Sequence, residues 1–230
     1  MVERSFMLES GLIMKDQVLI LASNSPRRRQ LIQLLGLPFE VHPNVLDENC
    51  LEGEDAQSYV IRLALEKGRK VASEMAGLVI SADTIVVHRD AILGKPADPQ
   101  EARDILLALR GHSHQVFSAI ALIDRANDIE LSDICKTEVP MRNYREQEVE
   151  AYIVSGDPMD KAGAYGIQHR GFQPVENLKG CYASVMGFPV CHVLRNLRHL
   201  GIQVEVDVPA ACQQALQYVC PVFETILENG

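Results

Sequence analysis

The sequence predicts an α/β protein with a mixed central sheet, and three observations carry that prediction. Short apolar runs at residues 18–22 (VLILA) and 78–82 (LVISA) suit strands buried on both faces. Capped helix-period segments alternate with those runs, the clearest opening on Asp98-Pro99-Gln100-Glu101. A chain of 230 residues, 47% hydrophobic and 23% charged, has the length for one large domain or two closely joined lobes.

The elements follow in order. Residues 1–16 read as a loose extension, because their apolar residues are broken by Glu3, Arg4, Glu9, Lys15 and Asp16. They lack a basic start followed by an unbroken apolar stretch, so no secretory signal is read and a cytoplasmic location is expected. After the first strand, Ser25 caps a helix, Pro26 fits its first turn and Gly36 ends it. Residues 54–75 read as a second helix, with Tyr59, Val60, Leu63, Ala64, Lys67 and Val71 at helical spacing. The strand at 78–82 continues through Ile85, Val86 and Val87. The helix opened by Asp98 runs to Leu109 and closes at Gly111. Strands are expected at 115–124 and 129–141, a helix at 146–155, a short strand at 182–185 and a helix at 190–200. The main domain is thus placed at 17–205, and 206–230 forms a C-terminal extension with a short helix near 210–219.

Charge and composition exclude several functions. Twenty-two basic against 31 acidic side chains leave a net charge of −9, which argues against binding nucleic-acid backbones. An anionic small molecule stays open, since a few local cations reverse the field inside a cleft. The lack of Trp and the 5% aromatic content weigh against a base-stacking, single-strand-binding surface. No apolar run reaches the roughly 18 residues of a membrane span. The six cysteines form no C-x-x-C pair and read as reduced thiols rather than a zinc site or disulfides.

Three segments carry chemistry. In Ser23-Asn24-Ser25-Pro26-Arg27-Arg28-Arg29, arginines occupy a helix start, where the dipole favours acids; a phosphate between them would offset that cost, although solvated arginines remain the plain alternative. Asp83, in Ala82-Asp83-Thr84, interrupts an apolar strand, and a buried carboxylate needs a partner or a metal. At a strand end it suits a metal ligand or a general base, with a turn aspartate as the plain reading. Gly94-Lys95-Pro96 follows on an expected hairpin and offers Lys95 to a phosphate. The segment from Asp157 to Gln168 is rich in small residues, with Asp160 and Lys161 for metal and phosphate, and Gln168 with donor and acceptor for a base edge.

Together with Leu109-Arg-Gly-His-Ser-His114-Gln-Val116 and Tyr182-Ala-Ser-Val185-Met-Gly187-Phe-Pro189, these segments resemble the Maf family in identity and order, over roughly residues 18–200. The resemblance implies an elongated sheet of the Maf/ITPase kind, two lobes with a cleft between them, and hydrolysis between the α and β phosphates of a nucleoside triphosphate. It places a general base on Asp83 and phosphate contacts on Ser23, Arg28, Lys67, Lys95 and Lys161. Metal contacts fall on Glu48, Asp83 and Asp160, for Mg²⁺ or Mn²⁺. Arg27, Thr84 and Gln168 match the branch acting on dTTP and UTP, whereas the 7-methyl-GTP branch tends to an aromatic at the place of Arg27. His169 departs from the glycine the family commonly has there. A homodimer is a further family-level expectation.

Overall fold

The computed structural model describes residues 19–44, 46 and 49–228. The expected extension at 1–16 lies outside them, as does Glu48. Among the described residues one sheet contains β1 (Leu19–Leu21), β2 (Phe39–Val41), β3 (Leu78–His88), β4 (Ala91–Leu93), β5 (Ser113–Asp124) and β6 (Ile129–Pro140). Its order is β2-β1-β3-β5-β6, with β4 paired to β3. β1 runs parallel to β2 and β3, whereas β3–β4, β3–β5 and β5–β6 are antiparallel. The sheet is therefore mixed. It is also elongated, since the 12 residues of β5 extend about 40 Å.

The helices are α1 (Pro26–Ile32), α2 (Ala56–Ala72), α3 (Pro99–Leu109), α4 (Glu146–Val154), α5 (Tyr182–Val185), α6 (Val190–His199), α7 (Val208–Leu216) and α8 (Phe223–Glu228). Strand alternation assigns them to two faces. Leu78, Ile80, Ala82 and Val86 of β3 pack with side chains of α1, α3, α4, α6 and α7. Val79, Ile85 and Val87 point the other way, against Tyr59, Val60, Leu63 and Ala64 of α2. Each fully buried Leu, Ile or Val in these layers contributes about 1.5–3 kcal/mol.

α2 lies unusually close to the sheet. Ser81 Oγ donates to the Ala64 carbonyl at 2.6 Å. A Cβ on Gly68 would stand 2.7 Å from Ser81 Oγ and 2.8 Å from Ile123 Cδ1. The glycine costs helix propensity but permits the approach.

Three local expectations need correction. Residues 182–185 form the short helix α5, not a strand: Ser184 N–H is capped by Cys181 Sγ, and Val185 N–H bonds back to the Cys181 carbonyl. Four residues between glycines carry too little periodicity to separate the two forms. The hairpin after β3 turns at Arg89 and Asp90, with φ of 49° and 66°, so Gly94-Lys95-Pro96 leaves the end of β4 instead of forming the turn. The helix near 210–219 starts earlier, at Val208, because Asp207 accepts from Ala210 N–H at 3.1 Å. That helix joins the main core through Val208 and Cys212. α8, which no apolar period marks, follows it.

Among the described residues no helix is long and apolar enough to cross a membrane, and all six cysteines are free thiols.

His114 of β5 is buried with its Nε2 2.7 Å from Tyr165 Oη. Burial, aided by the charge of His88, pushes its imidazole down to about 3. An unfolded histidine takes a proton near pH 6.5, while the native one stays neutral, so stability falls as pH drops below that point. Between pH 6.5 and 5, unfolding free energies of His114→Gln should depend on pH less steeply than the parent's by about 1 kcal/mol per unit. Equal slopes would remove His114 from this role. In urea titrations, Gly68→Ala should cost about 1–3 kcal/mol, and adding Ser81→Ala should return part of it. An unchanged or raised stability for the single variant would mean that α2 is not held by this contact.

Candidate active site

The site begins where two strands stop. β5 pairs with β3 along residues 79–87, which occupies one edge. On the other edge β1 pairs with residues 78–80 and β4 with residues 86–88. Between them, residues 81–85 have no strand neighbour among those described, and a cleft of about 530 Å³ opens there. Asp83 and Thr84 sit in the gap. As consecutive strand residues they face opposite sides, so the cleft wraps around the exposed edge.

Asp83 is 6% exposed and forms an ion pair through Oδ1 with Lys67 Nζ, itself 8% exposed. Removing one side of a buried ion pair costs stability, because burial withholds water from the charge that remains. Lys67 stands on α2 in line with Tyr59 and Leu63, at four-residue steps, and all three line the cleft. Asn44 Nδ2 donates to the Lys67 carbonyl at 2.5 Å and brings its loop to the same wall.

The turn after β1 supplies the basic wall. Ser25 N–H donates to Ser23 Oγ at 3.1 Å, and Arg28 Nη1 reaches the same oxygen at 3.4 Å. Arg28 Nε donates to the Gly187 carbonyl at 2.9 Å, which ties this turn to the end of α5. Gly187 has φ of 100°, and a Cβ there would stand 3.2 Å from Thr84 Oγ1. Ser118 Oγ donates to the Ser184 carbonyl at 2.7 Å, so the 2.8 Å bond between Thr84 and Ser118 uses the Thr84 proton. The Thr84 oxygen therefore offers lone pairs.

The third wall is the segment from Asp157 to Gln168. Gly163, at φ of 72°, donates its N–H to the Gly94 carbonyl at 3.0 Å, which joins this segment to the stretch after β4 that carries Lys95. Lys161 is buried and bonded to Asp157 and Asp160, while Asp160 Oδ2 lies 3.8 Å from Arg27 Nη1. Gln168 is half-buried on the cleft wall. His169 is turned away: its ring packs on Tyr152 at 4.6 Å and its Nδ1 accepts from Phe172 N–H at 2.9 Å. The departure from the family's glycine thus shapes the following turn and is not part of the cleft lining.

Ser23, Arg27, Arg28, Lys67, Asp83, Thr84, Lys95, Asp160, Lys161 and Gln168 all line the one cleft. Glu48 lies outside the described residues. Sequence reasoning missed Asn44, Ser118, Tyr152 and the tie through Gly187. Asn44 and Ser118 belong to no motif, whereas Tyr59 and Leu63 share the four-residue spacing of Lys67 and were readable as one face. Five cations and two carboxylates line the cleft of an otherwise acidic chain, an arrangement that concentrates positive potential inside. Among the described residues no three His, Cys, Asp or Glu side chains converge as a ready metal cage.

The model of the Maf-like protein family matches residues 18–200. The dTTP/UTP pyrophosphatase of Dehalococcoides mccartyi is 44% identical over 190 residues, covering 82% of this chain and 84% of that protein. The protein of the same name from Dictyoglomus thermophilum is 43% identical over 190 residues, covering 82% and 98%. One from Bacillus cereus is 40% identical over 187 residues, covering 81% and 97%. Among solved structures, a HAM1 protein from Coxiella burnetii is 17% identical, with a TM-score of 0.45, over 93% of this chain and 95% of its own. A family match that spans the three walls of the cleft and most of the chain places it plainly: the chain belongs to the Maf-like protein family.

Proposed function

We propose that the chain is a nucleoside triphosphate pyrophosphatase that hydrolyses dTTP and UTP, and modified pyrimidine nucleotides of the same shape, to the monophosphate and pyrophosphate. The observation that carries the reading is the buried Asp83–Lys67 pair, set in a cleft with four further cations. A carboxylate able to take a proton sits among side chains able to hold a polyphosphate. The relatives named dTTP/UTP pyrophosphatase support the same activity.

Asp83 Oδ1 faces Lys67, so Oδ2 is the oxygen for a water's proton. The activated water attacks the α phosphorus, the bond to the bridging oxygen breaks, and pyrophosphate leaves. Arg28, Lys95 and Lys161 hold the charge that accumulates on the leaving group. Thr84 presents an acceptor and Gln168 both a donor and an acceptor. Gln168 can accept the single N–H of the uracil or thymine imide edge and donate to one of the two carbonyls that flank it. Arg27 lies beside Asp160 at the mouth of the third wall and completes the selective trio.

The donor set fits Mg²⁺ or Mn²⁺. Asp83 and Asp160 offer hard carboxylate oxygens, and such ions are commonly held by one or two carboxylates with substrate phosphates and waters. A bound divalent ion would neutralise phosphate charge during bond cleavage. Glu48 would join this set.

Phosphorus NMR of the products should show pyrophosphate and monophosphate from dTTP and UTP, with cleavage lost to a chelator and restored by Mg²⁺ or Mn²⁺. Release of single phosphate would overturn the reaction class. If 7-methyl-GTP or another purine triphosphate were cleaved while dTTP and UTP stayed intact, the pyrimidine assignment would fall. Asp83→Asn should lower kcat by about a hundred- to ten-thousandfold while nucleotide affinity changes little. Full activity in that variant would take the base role from Asp83.

A further inference from the structure

Lys161 has a support that no cleft residue supplies. Its ammonium carries three N–H bonds, and three oxygens take them: the Asp157 carbonyl at 2.6 Å, Asp157 Oδ1 at 2.9 Å and Asp160 Oδ1 at 2.7 Å. A phosphate oxygen can therefore bind only by replacing one of them.

The two carboxylates differ in how firmly they are held. Asp160 lines the cleft with a side chain 67% exposed, so solvent compensates its loss of the ammonium. Asp157 stands behind Lys161, outside the cleft lining, with a side chain 32% exposed. Tyr152 Oη donates to Asp157 Oδ2 at 2.6 Å and accepts the Gly166 N–H at 2.9 Å. Burial raises the Tyr152 phenol far above its usual range, so the tyrosine keeps its proton and remains the donor. For Asp157 burial works upward, but the bonds from Tyr152 and Lys161 outweigh it and hold the carboxyl below its usual value. The lysine stem runs over Gly166, where a Cβ would come within 2.9 Å of Lys161 Cε. Backbone, tyrosine and glycine thus fix Asp157, and Asp157 aims the lysine.

We propose that Asp157 is a positioning residue for Lys161, fixed by Tyr152 and Gly166, and that Asp160 is the exchangeable partner whose place a substrate phosphate oxygen takes. This rests on the cleft being a polyphosphate site. Exchange at Asp160 releases a carboxylate that is 67% exposed, whereas exchange at Asp157 would take the ammonium from one that is 32% exposed. The swap is therefore directed.

The test uses the full chain and inorganic pyrophosphate in metal-free buffer, followed by titration calorimetry. Asp157→Asn should weaken pyrophosphate binding about tenfold. Asp157→Glu should restore most of the loss, and Asp160→Asn should bind as well as the parent or better. In a Lys161→Met background, Asp157→Asn should add no further loss, because it acts through the lysine. Tyr152→Phe should weaken binding in the same sense and serves if Asp157→Asn fails to fold. Equal losses from Asp157→Asn in both backgrounds, a loss from Asp160→Asn matching that from Asp157→Asn, or a parent that binds no pyrophosphate would each overturn the proposal. A parent that shows this pattern yet cleaves no triphosphate would overturn the enzymatic reading alone. One that cleaves triphosphates with additive losses would overturn the positioning alone.

Discussion

Lys67 and Asp83 meet because a helix and a strand approach more closely than side chains of ordinary size permit. Gly68 on α2 has no Cβ to strike Ser81 or Ile123, and the Ser81 hydroxyl closes on the Ala64 carbonyl. Two opposite charges are thereby brought together below the surface. The layer of α2 against the sheet thus serves two ends. Its apolar side chains hold the face together, and its one inward lysine sets the carboxylate at the centre of the cleft.

The opposite wall depends on a different kind of contact. Arg28, Thr84, Ser118, Ser184 and Gly187 come from four distant parts of the chain and are joined by short polar bonds. The C-terminal helices brace this wall from behind. Tyr218 Oη lies 3.0 Å from the carbonyls of Leu178 and Gly180, and Arg195 Nη1 donates to the Ile226 carbonyl at 2.8 Å. The segment beyond the family match is therefore packed against the stretch that leads into α5, and so toward Gly187.

Much of the fold was legible because its elements announce themselves physically. The caps at Ser25 and Asp98 and the apolar runs of β1 and β3 all produced the elements they specify. α5 was misread because four residues cannot display a period, and its form is settled by the Cys181 cap and the bond from Ser118. The titratable residues of the cleft stood out as charges in apolar or small-residue surroundings. Their supports did not. Asn44 and Ser118 act through contacts that close only when distant segments pack, and Tyr152 and Asp157 through bonds around the turn after α4, which no apolar period marks.

The opening in the edge of β3 has no residue of its own. It exists because β1 stops at Leu21, opposite Ile80, and β4 begins pairing only at Val86. Had β1 run on beside β3, backbone would fill the space that Asp83 and Thr84 now face. Strand length is here a functional trait as much as any side chain, one that substitution scans would pass over and that a change in chain length would expose.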